Sequence, residues 1–279
     1  MHSGCISLQT FSKIFYLMDF LKNRDTAAAE MSFCGTIFDG RFTMLKKRLG
    51  ILGGMGPEAT AVLYERITKN TEAACDRDHL DILIWSHASI PDRTEAILSG
   101  NTENIRSILR EDSEMLRNAG CKCLVIPCNT SHNFRDIYRD IFGDGFIDMI
   151  EETAIYAQRR GVQRAGILAT DGTVSADLYG KALRGRGVEA VYPSKEDQKT
   201  VMSIIYDQIK KGQKGNLDEF NQVTAHLKEQ GCDAVILACT ELSVLNTNYG
   251  LDPAFHIDAM DAVTKACIRA CGGIYKGIL

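Results

Sequence analysis

Two cysteines, Cys128 and Cys239, each stand after an apolar run and before polar residues, in "LVIPCNTSH" and "VILACTEL". If those polar residues open a helix, each thiol sees the positive end of a dipole and free N–H groups. That setting lowers a cysteine pKa from its usual ~8.5 toward neutrality. A group titrating near the working pH suits general acid–base chemistry. One isolated cysteine would more simply be a small buried hydrophobe. Two in matched settings point to a pair acting on one molecule. Proton transfer on two faces of one carbon uses both: one thiolate removes a proton, the opposed thiol returns one, and the stereocentre inverts.

Other uses of these thiols are poorer fits. Zinc takes about four ligands, and no second cysteine or histidine pair of finger type lies nearby. Cys121-x-Cys123 and Cys267-x3-Cys271 lack partners at ligand spacing and read as core. A redox disulfide stays open, although no C-x-x-C motif is present. A nucleophile reading needs a base, and His132, four residues after Cys128, is the candidate. His79, His87, His226 and His256 show no partners in sequence, and Glu196 and Asp197 read as a solvated helix start. No cofactor signature competes, and no cofactor or metal is expected. The glycine-rich "GILGGMGPEAT" is neither G-x-x-x-x-G-K-[ST] nor G-x-G-x-x-G. With Pro57 at a first helical turn, Gly53 and Gly54 could aim N–H groups at a carboxylate, or simply make a tight turn.

The elements that must position these residues alternate. Short apolar runs at 49–52, 81–86, 123–127, 145–148, 165–169, 189–192 and 234–238 predict strands. Amphipathic segments at 57–71, 101–119, 150–159, 175–184, 199–211, 217–230 and 259–271 predict helices. This alternation predicts parallel sheets with crossover helices, and pure apolar runs suit strands covered on both faces. The chain also repeats itself. "LRNAGCKCLVIPCNT" matches "LKEQGCDAVILACTE" at an offset of 111, and "RLGILGGMGPEATAVLY" matches "RAGILATDGTVSADLY" about 115 residues on. Two similar α/β domains follow, 45–148 plus 257–279 and 149–256. Sites favour the cleft between domains and the carboxyl ends of parallel strands, where both cysteines fall.

The 279 residues are ample for two such domains, and the net charge of −4 gives no basic footprint for nucleic acid. No apolar run approaches the ~18 residues of a membrane span. Ten cysteines at irregular spacing in a chain this long read as reduced thiols and a cytoplasmic setting. Residues 1–44 differ: one broken apolar patch, no signal-peptide pattern, and then "MLKKRLGILGG", which reads like a domain start. They are expected to be a poorly ordered extension, with organelle targeting as the alternative.

Six ordered motifs resemble the aspartate/glutamate racemase family over about residues 46–275. They are "GGMGPEAT", "PDRT", "PCNTSH", "GILATDGT", "IYDQIKKG" and "ACTEL". The resemblance is strongest to its cofactor-independent aspartate racemases. It implies an α/β fold of two Rossmann-like parallel-sheet domains related by pseudo-twofold symmetry, with the site in their cleft and a homodimeric assembly. It implies Cys128 and Cys239 as acid–base catalysts. Asn129, Thr130 and Thr240 would bind the amino acid's α-groups, and Arg93 and Lys210 its side-chain carboxylate. Gly54, Met55, Thr170 and Glu241 complete the expected substrate contacts. Some broader-specificity members carry threonine at the first cysteine; this chain keeps Cys128. The extension before Met44 departs from the family pattern. Two other readings remain: an isomerase or decarboxylase of maleate- or malonate-like diacids, and an amino-acid-binding protein without catalysis. A chain beginning at Met44 is expected to match the full chain in thermal midpoint, measured by circular dichroism.

Overall fold

The computed structural model describes residues 35–38, 41–44 and 46–277. The expectation for residues 1–44 therefore falls outside the described residues except at 35–38 and 41–44. Strands β1 (Gly35–Phe38) and β2 (Arg41–Met44) pair antiparallel, Gly35 opposite Met44 and Phe38 opposite Arg41. They belong to a unit separate from the one that begins at Lys46.

From Lys46 onward the chain builds the same sheet twice. Strands β3 (Leu49–Gly53), β4 (Ile82–Ser86), β5 (Cys123–Val125) and β6 (Phe146–Ile147) form a parallel sheet in the order β4-β3-β5-β6. Strands β7 (Arg164–Leu168), β8 (Glu189–Val191), β9 (Ala234–Leu237) and β10 (His256–Asp258) repeat it as β8-β7-β9-β10. Every residue of β3 and β9 is buried, as strands covered on both faces must be. Each fully buried leucine or isoleucine there contributes roughly 1.5–3 kcal/mol relative to exposure. The cysteines expected to be core, Cys121, Cys123, Cys267 and Cys271, are all buried.

The "L…GC" repeat has a physical origin. Helices Glu103–Asn118 and Leu217–Glu229 both end in a glycine turn, at Gly120 (φ 89°) and Gly231 (φ 84°). Cys121 N–H donates to the Leu116 carbonyl at 3.2 Å, and Cys232 N–H to that of Leu227 at 3.1 Å. A left-handed residue at this point favours glycine, and the six-to-one bond closes the helix end. The turn then feeds β5 and β9, the strands that lead to Cys128 and Cys239.

Several elements differ from the sequence expectation. The 199–211 segment is an α-helix over Lys195–Ser203, a π-helical stretch Ile204–Gln208 and a 3-10 turn Ile209–Lys211. Strand β10 and the helices Arg93–Ser99 and Arg135–Phe142 were too short for periodicity to reveal. Strand β10 completes the second sheet and runs past residue 256, where the second domain was expected to end.

Two buried aspartates at matched places hold the sheets' last connections. Asp148 follows β6 and caps helix Met149–Arg159 through the N–H groups of Ile150 (3.1 Å) and Glu151 (3.3 Å). Asp258 ends β10 and caps helix Ala259–Ala270 through Met260 N–H at 2.9 Å. These two helices pack against each other. Arg139 and Arg135 neutralise Asp148, at 2.9 and 3.3 Å. Arg66, from helix Pro57–Asn70, neutralises Asp258 at 2.8 Å and also pairs with Asp261. Breaking a pair as buried as Arg66–Asp258 from one side typically costs about 3–5 kcal/mol.

Burial, and then the charge of Asp258, push the Asp261 carboxyl up to about 7, against the pull of Arg66. The folded chain therefore binds this proton more tightly than the unfolded chain. Its stabilising contribution is present at acid pH and is lost as pH rises through about 7. Asp261→Asn is expected to flatten the fall in stability from mildly acid to mildly alkaline pH, measured as thermal midpoint against pH. Parallel curves for the parent and the variant would rule the assignment out.

Candidate active site

Cys128 and Cys239 line one cavity at the carboxyl ends of β5 and β9. Cys128 lies in the loop that leaves β5, and its N–H donates to the Ile126 carbonyl at 2.8 Å. A 3-10 turn, Thr130–Phe134, follows it rather than an α-helix. Cys239 is the N-cap of the α-helix Thr240–Tyr249, as its position after an apolar strand implied. Each residue is only 5% exposed.

Around the sulfurs the structure gathers nearly every residue expected there. Met55, Arg93, Asn129, Thr130, Thr170, Lys210, Thr240 and Glu241 line the same cavity. Gly54 does not; it lines an adjoining outer pocket of about 490 Å³. Its N–H donates to Thr60 Oγ1 at 3.0 Å, so the glycine turn satisfies itself at that position. A side chain at Gly53 would collide with Thr60, and one at Gly54 with the His87 backbone. The inner cavity is nearly closed. Its free volume of about 10 Å³ holds roughly one water. Met55, Asp92, Arg93, Lys210 and Glu241 form the wall it shares with the outer pocket.

The cavity's polar groups form two chains of contacts. Thr130 Oγ1 meets Thr170 Oγ1 at 2.9 Å and Thr173 Oγ1 at 3.1 Å, joining the loops after β5 and β7. Asn129 Oδ1 accepts from Tyr179 at 2.6 Å, while Asn129 Nδ2 is buried without a partner. In the second chain, Lys210 Nζ pairs with Glu241 Oε1 at 2.9 Å and lies over the Tyr206 ring. The Tyr206 hydroxyl donates to Asp92 at 3.0 Å. Asp92 caps helix Arg93–Ser99 through Glu95 N–H at 2.9 Å. Arg93 Nη1 donates to the Ile90 and Pro91 carbonyls at 3.1 and 2.9 Å, and its Nε is buried and unpartnered.

The charges are set by these neighbours. Burial works against the Arg93 cation, but the Cys128 sulfur and Asp92 outweigh it and raise its pKa. Burial likewise opposes the Lys210 cation, and Glu241 and then Cys239 overturn that effect. The expectation of a lowered thiol pKa fails at Cys239. Burial pushes this thiol well up and Glu241 pushes it further, against the pull of Lys210. Helix-start N–H groups are outweighed when the sulfur is dry and a carboxylate sits beside it.

His132 is not a base for Cys128. Its Nε2 accepts from Met149 N–H at 3.1 Å, which makes Nδ1 the donor to the Cys128 carbonyl at 2.9 Å. Fully buried, it has its pKa lowered by desolvation. Its ring is a backbone brace. His87 and His226 do have partners, Asp112 and Asp197, away from the cavity. Three further residues that the motifs did not single out line the cavity. Tyr206 stands one turn before Lys210, and Asp92 directly precedes Arg93 as a helix cap. Thr94 follows it. Helix spacing and capping pattern were available signals for the first two.

Two parallel sheets of equal topology, with a cavity lined by Cys128, Cys239, Arg93 and Lys210 at their carboxyl ends, have the architecture of a racemase-type α/β enzyme. The family model for Asp/Glu/hydantoin racemase matches residues 52–267, and the chain belongs to that family. It is 30% identical to the aspartate racemase of Picrophilus torridus, with a TM-score of 0.72, covering 82% of this chain and 96% of that one. It is 24% identical to the broad specificity amino-acid racemase RacX of Bacillus subtilis over 71% of this chain and 86% of RacX. An aspartate racemase homologue from Pyrococcus horikoshii OT3 shares the fold, with a TM-score of 0.65 at 23% identity, covering 81% of this chain and 99% of that one.

Proposed function

We propose that the protein is a cofactor-independent aspartate racemase in which Cys128 and Cys239 carry the proton to and from opposite faces of Cα. The observation that carries this reading is the convergence in one cavity of Cys128, Cys239, Lys210, Arg93 and Asn129, the last two each carrying a buried donor without a partner. A buried donor left without a partner is costly, about 1–3 kcal/mol. Arg93 Nε and Asn129 Nδ2 are therefore suited to a ligand rich in acceptors. Two carboxylates meet that demand, and Arg93 can hold one of them bidentately. Likeness to the Picrophilus aspartate racemase supports a diacid substrate over the wider range that the RacX name implies.

The α-proton of an amino acid is very weakly acidic, so a thiolate alone is insufficient. Preorganised donors must stabilise the carbanion-like state, each worth typically ~3 kcal/mol. Asn129 and the hydroxyls of Thr130, Thr170 and Thr240 fill that role. Met55 packs against the substrate. A substrate entering from the outer pocket must part the wall at Arg93 and Lys210, and reclosure then excludes water. All eight cysteines among the described residues are free thiols, which fits a reducing cytoplasm. No helix among the described residues is long and apolar enough to cross a membrane.

Cys128→Ser and Cys239→Ser are each expected to lower aspartate racemisation by at least ~10²-fold. Each variant should retain Cα–deuterium exchange with one enantiomer only, read by mass spectrometry in heavy water. Parental racemisation by Cys239→Ser would sink the two-base reading. Equal turnover of alanine and glutamate would make the enzyme a broad-specificity racemase instead.

A homodimer is part of the same proposal. Among the described residues edge strand β4 pairs with β3 alone, and its Leu83, Ile84 and Trp85 are all exposed. An open strand edge is complementary to its own copy about a twofold axis. Ile84→Lys should convert a dimer to monomer in sedimentation velocity, and a monomeric parent would refute this interface.

A further inference from the structure

The two halves of the site are not equivalent. At the second position after Cys239 stands Glu241; at the matched position after Cys128 stands Thr130. Glu241 is 5% exposed, and both its oxygens are engaged. Cys239 Sγ donates to Oε2 at 3.0 Å, and Thr240 Oγ1 approaches the same atom at 3.4 Å. Lys210 Nζ meets Oε1 at 2.9 Å. Sharing the cavity from the other half are Arg93, Asp92 and Cys128, with Tyr206 beside Lys210. A carboxylate accepting from a thiol favours the thiol, because ionising the sulfur would set two anions against each other in a dry site.

We propose that Glu241 is a positioning residue that keeps Cys239 protonated between turnovers, so that Cys239 is the proton donor of the first half-reaction. This rests on the racemase reading of the same site and deepens it. In the first step the Cα–H bond breaks, its electron pair stays on carbon, and the proton passes to the Cys128 sulfur. The Cys239 S–H bond then breaks, its electron pair stays on sulfur, and its proton forms the new Cα–H bond on the opposite face. Product leaves a Cys239 thiolate against the Glu241 carboxylate. Their repulsion drives Cys239 to take a proton from water while Cys128 returns one, and the cycle closes without any net redox change.

The test is iodoacetamide labelling of the full chain without amino acid, across neutral to alkaline pH, with each cysteine read by peptide mass mapping. The thiolate is the reactive form. Glu241→Gln is expected to label at Cys239 about 10-fold faster at neutral pH, its midpoint falling by about one pH unit. Unchanged Cys239 labelling in a variant with parental circular dichroism overturns the proposal. The parent supplies a second measurement that needs no variant. Both cysteines are 5% exposed as residues, and Cys128 should label first. Faster labelling of Cys239 overturns the proposal as well. Labelling needs no catalysis. If the cysteine variants keep racemising, the racemase mechanism fails while the Glu241 result stands, and the reverse also holds.

Discussion

Asp148 and Asp258 are the constraint on which the rest of the molecule leans. Asp148 follows and Asp258 ends the last strand of its sheet; each caps the next helix and is neutralised by arginine while buried. An unpaired carboxylate at either place would be prohibitively desolvated, so the arginines and the caps are obligatory companions. Arg66 matters most in this respect. It reaches from a helix beside the first sheet to the final residue of β10 and to the Ser243 carbonyl at 3.1 Å. Ser243 lies on the helix that Cys239 opens. One guanidinium therefore ties the first sheet's helix to the Cys239 helix and to the second sheet's last strand.

That rigidity is what lets the cavity hold unfavourable chemistry. Four charged side chains, Asp92, Arg93, Lys210 and Glu241, sit at its wall, and two donors have no partner. A site assembled for stability alone would not leave Arg93 Nε and Asn129 Nδ2 bare. Functional sites are where local consistency is expected to fail. The π-helical stretch Ile204–Gln208, which carries Tyr206 toward Asp92, has the same character, since such irregularities gather at sites.

The repeat made much of this legible from sequence. "LRNAGCK" and "LKEQGCD" encode the same glycine-closed helix end, and from it the equal topology of two sheets followed. Both cysteines and most of the cavity wall were found because they stand at strand ends or inside conspicuous motifs. The electrostatics were not legible. In sequence, only its own helix can be seen to act on the Cys239 thiol. Its protonation depends on Glu241, two residues away, and on Lys210, brought in from another element by a π-helical register that sequence periodicity does not reveal. Asp148 and Asp258 were hidden for a related reason. "FID" and "HID" are 110 residues apart and repeat, but only the first falls in an expected strand, at 145–148, and a three-residue strand such as β10 leaves almost no pattern.

The inequality of the two sulfurs raises a thermodynamic point. Enantiomers have equal free energy in water, so no arrangement of Glu241 and Arg93 can shift the equilibrium between them. Asymmetry can act only on the enzyme's own forms. If the Cys239 thiol is favoured, the form left after one direction of turnover is the less stable one, and its recovery through solvent becomes a step in the cycle. A carboxylate beside one sulfur then governs how quickly the enzyme is ready again, and for which enantiomer, without altering the final ratio. Lys210 limits the penalty by screening the pair, which is why the contact at 2.9 Å belongs to the chemistry as much as to the fold.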